Sequence, residues 1–288
     1  MALLGVALAA AVVVGCNRVD SHGGDSASGL NPSQPMAVQQ AIGAYAVRII
    51  PAADGRESSG FEIFRRGKKV YEASGDHFHI GPPYEDESVP QIRPGSNLTG
   101  NGIPDLVVKE WTGGAHCCYR LHVFELGERF RFIQTIEAEH SDLAWFENLD
   151  EDPALELAMN DWSFAYWRTS FATSPAPRVV LKYRDGRYRV APELMRRSPP
   201  SPESFREMAR EIRSEPEWAE RKRPPVILWR NMLDLLYTGN AREAWSLLDL
   251  AWPAECAGKE RFQAEFKEQL ANSRYWRELT NLAGFSGR

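Results

Sequence analysis

Between residues 41 and 192 one kind of segment recurs: YAVRII, GFEIFRR, KKVYEA, DLVVKEW, YRLHVFEL, RFRFIQTIEA, LELAMNDW, PRVVLKYR and GRYRVA. Each is short, rich in β-branched and aromatic residues, and often alternates apolar with polar, the period of a half-buried strand. RGKK, GERF and the Asp185-Gly186 of YRDGRY supply turns, the last reading as a tight hairpin. No long helical period interrupts them. An antiparallel β domain is expected over residues 41–197, either a propeller-like fragment or a β-sandwich.

At RRSPPSP (196–202) the pattern changes. Ser201-Pro202-Glu203 reads as a helix start, with a hydroxyl cap, proline in the first turn and an acid after it. FREMAREIR continues at helical spacing, and VILWRNMLDLLYTGNAREAWSLLDLAWP and ERFQAEFKEQLANSRYWRELTNLAGF follow after the break RKRPP. A separate α-helical domain is expected over 198–288. Trp229 to Pro253 resembles one tetratricopeptide-type hairpin, with Gly239 at the turn, Ala244 and Ala251 at small positions, and the bulky Met232 where that family has a small residue. One repeat is not an array, which needs about three, so the stretch reads as an α-hairpin.

The first residues, MALLGVALAAAVVVGC, hold an uncharged run too short for a permanent span, which needs about 20 apolar residues. Its length suits a signal-peptide apolar region, although no Lys or Arg precedes it; the start codon is expected a little upstream. Val13-Val14-Gly15-Cys16 resembles the bacterial lipobox, which implies a signal peptide over 1–16 and lipidation of Cys16. The resemblance implies an envelope protein anchored in a membrane. Asn17 in place of an inner-membrane retention aspartate points to the periplasmic face of the outer membrane. Residues 17–40, poor in large apolar groups and rich in Ser, Gly, Asp and Pro, read as a flexible tether. A net charge of −5 without a basic block argues against nucleic acid as a partner.

NLTGNGIPDLVV (97–108) resembles the integrin-type repeat loop known as FG-GAP or VCBS, and NLDEDPALELAM (148–159) resembles a second copy in register. In that family the loop binds calcium beside a short aliphatic strand. The resemblance implies oxygen ligands from Asn97, Thr99, Asn101 and Asp105 in the first loop, and from Asn148, Asp150, Asp152 and Glu156 in the second. Such a calcium ion would be structural and weak, because affinity rises with carboxylate count and the first loop carries a single carboxylate. The alternative is that Asn and Asp side chains bind their own backbone as Asx-turns and need no ion.

With Cys16 lipidated, Cys117, Cys118 and Cys256 remain as disulfide candidates, either the adjacent pair or one of them with Cys256. Zinc spacing is absent, and a thiol protease is not indicated, since His116 beside Cys117 would point to the opposite face of a strand. Trp162, Phe164 and Tyr166 alternate in NDWSFAYW; they share one strand face as core or, if exposed, as a platform for a sugar or peptide. The leading expectation is a lipid-anchored, non-catalytic binding or scaffold protein whose partner is an unidentified envelope protein or glycan. The alternative is a metal-dependent envelope hydrolase using the acidic loop 148–156.

Overall fold

The computed structural model describes residues 39–53, 57–81, 92–115, 117–141, 144–220 and 223–283. Cys16, the signal peptide, the tether up to residue 38 and His116 lie outside them.

Three four-stranded antiparallel sheets follow one another, each with its strands side by side in chain order. The first holds β1 (Gln39–Ile42), β2 (Tyr45–Ile50), β3 (Gly60–Arg65) and β4 (Lys68–Ser74). The second holds β5 (Phe78–Ile80), β6 (Asp105–Trp111), β7 (Tyr119–Leu126) and β8 (Phe130–Glu139). The third holds β9 (Trp145–Glu147), β10 (Glu156–Asn160), β11 (Arg178–Arg184) and β12 (Arg187–Val190). Because strands adjacent in the chain pair with one another, each sheet is a meander. Asp185 and Gly186, at φ 50° and 81°, make the turn between β11 and β12. Both central residues have positive φ, which matches the strand twist. Residues 39 and 40, expected in the tether, belong to β1.

The middle sheet is apolar on both faces, because alternate residues point opposite ways. Leu106, Val108, Phe124 and Leu126 pack with Val47, Phe61 and Ile63 of the first sheet. Val107, Leu121 and Val123 join a second cluster with Leu157, Met159, Val179 and Leu181 of the third. That cluster continues into the helices through Leu228, Trp229, Met232, Leu247 and Phe266.

Those helices are α1 (Pro192–Met195), α2 (Pro202–Arg213), α3 (Glu217–Glu220), α4 (Val226–Tyr237), α5 (Ala241–Ala251), α6 (Lys259–Ala271) and α7 (Trp276–Ala283). Ser201 caps α2 by accepting from Ser204 N at 3.1 Å, with Pro202 in the first turn. Gly239, at φ 84°, lets the chain turn from α4 into α5. Met232, Ala244 and Ala251 are fully buried. The change from strands to helices falls after Val190, but the core does not divide there: residues Pro35–Arg288 form one compact unit. Each large apolar side chain buried in the shared cluster contributes about 1.5–3 kcal/mol. The helices therefore share one continuous apolar cluster with the third sheet. No helix among the described residues is long and apolar enough to cross a membrane.

Candidate functional site

In the first loop every candidate side chain is engaged by the turn, while Asp105 Oδ1 is buried with no hydrogen-bond partner. Asn97 Oδ1 accepts from Gly102 N at 3.1 Å, and Asn101 Oδ1 accepts from Ile103 N at 2.8 Å. Asp105 Oδ2 accepts from Leu98 N, Thr99 N and Thr99 Oγ1 at 2.7, 2.9 and 3.0 Å. Burial raises the Asp105 carboxyl above its ordinary range, against those hydrogen bonds. These are Asx-turn bonds that close the loop on itself. Glu125, opposite Asp105 on β7, accepts from Asn101 Nδ2 and pairs with Arg131 at 2.8 Å. Arg131 in turn donates to Tyr183 Oη at 2.7 Å, tying the second sheet to the third.

The second loop repeats much of the plan with more carboxylates. Glu156 Oε2 accepts from Leu149 N at 2.8 Å, as Asp105 accepts from Leu98 N. Asp152 Oδ1 accepts from Ala154 N at 2.8 Å, as Asn101 accepts from Ile103 N. Asn148 instead donates to Asp152 O at 3.0 Å. Asp150, Asp152 and Glu156 each bring one oxygen within 4.8 Å of the others, a grouping able to hold a metal ion. A cation already lies among them. Lys182 Nζ pairs with Asp150 and Asp152 and lies 3.6 Å from Glu156 Oε1. Burial alone pushes the Lys182 ammonium down, but the two aspartates outweigh it and hold it well above its usual value. Asp150 is correspondingly lowered, chiefly by its hydrogen bond from Lys182.

The two loops also touch: Leu155 N donates to Leu98 O at 2.8 Å. Gly100 lies so close to the second loop that a Cβ there would meet Ala154 N at 2.6 Å. Together the loops form a paired, charge-compensated turn that starts β6 and β10.

The aromatic segment departs from its expected strand. Strand β10 ends at Asn160 and residues 161–169 turn, so Trp162, Phe164 and Tyr166 share no face. Phe164 is fully buried against Phe266, whereas Tyr166 is 56% exposed at positive φ. Trp162 stacks on Phe171, with centroids 5.1 Å apart. Asp161 holds this turn in place. Its carboxylate is buried, accepts from Ser163 N at 2.8 Å, and takes hydroxyl bonds from Tyr237 and Ser273. Sequence reading passed over Asp161, Lys182 and Glu125. Only Lys182 left a trace, as a cation in the apolar run RVVLKYR.

Cys117 and Cys118 are joined to each other, and Cys256 is a half-buried free thiol. His77 and His79 both approach Glu57, at 3.4 and 3.8 Å. No protein family, curated protein or solved structure matches the chain.

Proposed function

We propose that this is a non-catalytic binding or scaffold protein of the bacterial envelope, lipid-anchored through Cys16 with its folded part on the periplasmic side of the outer membrane. The two meanders that carry the Asn-headed loops act as blade-like units of the integrin-repeat kind, and an envelope protein or glycan is the partner. The observation that carries the non-catalytic reading is Lys182 seated among Asp150, Asp152 and Glu156. A general base or a metal-bridging carboxylate must be free to take a proton or an ion. Here all three carboxylates face an ammonium supplied by the next strand. Calcium enters this loop only by displacing Lys182, so its contribution is structural and weak.

The grouping of three carboxylates within 4.8 Å supports a second reading, a metal-dependent hydrolase built on the 148–156 loop. Two measurements separate the readings. A fatty-acid probe should label the wild type and spare Cys16→Ser; equal labelling would remove the anchor. Asp152→Ala should leave any hydrolysis of envelope esters or amides at background, as in the wild type. Metal-stimulated turnover that Asp152→Ala abolishes, with the fold intact, would establish the hydrolase instead.

A further inference from the structure

A cavity of about 280 Å³ opens where α3, the start of α6 and the aromatic turn meet. Arg168, Arg223 and Arg261 line it, and no acidic side chain does so among the described residues. Arg168 and Arg261 share a single carboxylate: Glu265 pairs with Arg168 and accepts from Arg261 Nε at 2.8 Å. Arg223 has no ion-pair partner among the described residues, so the wall carries more positive charge than those residues neutralise. Burial first, and then the neighbouring Arg261 charge, push Arg168 below its usual value.

The remaining wall is aromatic. Trp218 and Trp252 meet edge to face at 4.9 Å, and Phe262 lies 5.5 Å from Trp252. Arg168 also stands over the Phe262 ring at 5.7 Å, so the cationic and aromatic parts adjoin. Guanidinium groups match the oxygens of phosphate and carboxylate and stack on flat rings. The volume is near the lower end for small-molecule sites, larger than one inorganic ion needs.

We propose that this cavity binds a small organic anion, a phosphate or carboxylate carried on a flat ring. The three arginines hold the anionic head, and Trp218, Trp252 and Phe262 hold the ring. Cys256 lines the same cavity and provides a reporter.

The test uses the full chain, alkylated with a neutral maleimide, with modification of Cys256 followed by peptide mass. Phenyl phosphate should slow alkylation saturably, inorganic phosphate only at much higher concentration, and phenol not at all. Arg223→Gln should raise the half-protecting concentration about tenfold. Arg206→Gln, on an exposed arginine outside the cavity, should leave it unchanged. Calorimetric titration of phenyl phosphate into wild type and Arg223→Gln reads the same difference if the thiol alkylates slowly. Protection equal for phenol and phenyl phosphate, or equal in Arg223→Gln and wild type, would overturn the proposal. Protection by vesicles of anionic phospholipid but not by phenyl phosphate would assign the arginines to a lipid headgroup and overturn it as well.

Discussion

Lys182 Nζ lies 3.6 Å from Glu156 Oε1, and the pairing of Leu157 with Leu181 places the two residues opposite each other on β10 and β11. Glu156 is fully buried and Lys182 nearly so. Removing one partner of a buried ion pair costs about 3–5 kcal/mol, because the other charge is left uncompensated. Lys182→Met should lose stability of that order in the presence of chelator. It should recover part of the loss in millimolar calcium, because three carboxylates then face an open position. The wild type should gain no more than about 1 kcal/mol from the same calcium. Melting curves of both proteins with chelator and with calcium decide this. Equal calcium stabilisation of the two would show that Lys182 does not fill the site.

Acid should act through two opposed sets of carboxyls. Asp150, Glu62 and Glu125 lie below their ordinary values, held chiefly by hydrogen bonds from Lys182, Arg48 and Arg131. The stability they contribute is present above the unfolded values of 3.8 and 4.5, and is lost as pH falls through the lower folded ones. Asp105 is raised by burial, so its ionised form costs stability, and that cost is relieved as pH falls through its folded value. Thermal stability should therefore peak on the acid side of neutrality and drop steeply below about pH 4. Asp105→Asn should flatten the rise between neutrality and the peak while leaving the acid drop. A melting-temperature profile against pH that peaks above neutrality would contradict this account.

The strands were legible where a period of two and a turn coincided, as in DLVVKEW, YRLHVFEL and the Asp185-Gly186 hairpin. Strands β5 and β9, three residues each, are too short to show a period. The loops were recognisable from Asn, Asp and Gly spacing, yet their chemistry was not. That chemistry depends on Glu125 and Lys182, which reach the loops only through strand pairing. Residues 161–177 separate β10 from β11, and no local signal sets a register across so long a connection. The aromatic turn misled for a related reason. Trp162, Phe164 and Tyr166 alternate as a strand would, but Asp161 binds Tyr237 of α4 and Ser273 of the turn between α6 and α7, and the chain bends there.

The two glycines of the first loop should respond differently to the same substitution. Both have positive φ, 75° at Gly100 and 80° at Gly102. Around Gly102 an added Cβ meets nothing within 4 Å, so Gly102→Ala should cost only the left-handed backbone term, about 1–2 kcal/mol. At Gly100 the same Cβ meets Ala154 N at 2.6 Å and Pro153 C at 2.9 Å, backbone atoms that cannot rotate away. Gly100→Ala should therefore cost clearly more than Gly102→Ala, and should also weaken the Leu155–Leu98 bond between the loops. Urea unfolding of the two variants gives the comparison, and equal losses would mean that the loops do not pack together in solution.

A chain ending at Arg197 loses Tyr237 and Ser273, and with them both hydroxyl donors to the Asp161 carboxylate. It also uncovers Phe164 and the faces of Met159 and Val179 that pack in the shared cluster. The exposed apolar surface and the loss of the bonds that hold the 161–169 turn both act against the third sheet. The truncated chain should aggregate or melt without a cooperative transition. Tyr237→Phe isolates the polar part: it keeps the ring and removes one hydroxyl from a network in which Ser273 and Ser163 N remain. Burial, then the nearby Asp161, hold the Tyr237 hydroxyl well above its usual pKa, so it stays a donor across the working range. Its loss should cost about 1–2 kcal/mol, with no dependence on calcium. Far-UV melts of the truncated chain and urea midpoints of Tyr237→Phe measure the two contributions separately. A truncated chain that unfolds cooperatively at the full-length temperature would show that the helices are an appendage and that the third sheet is complete without them.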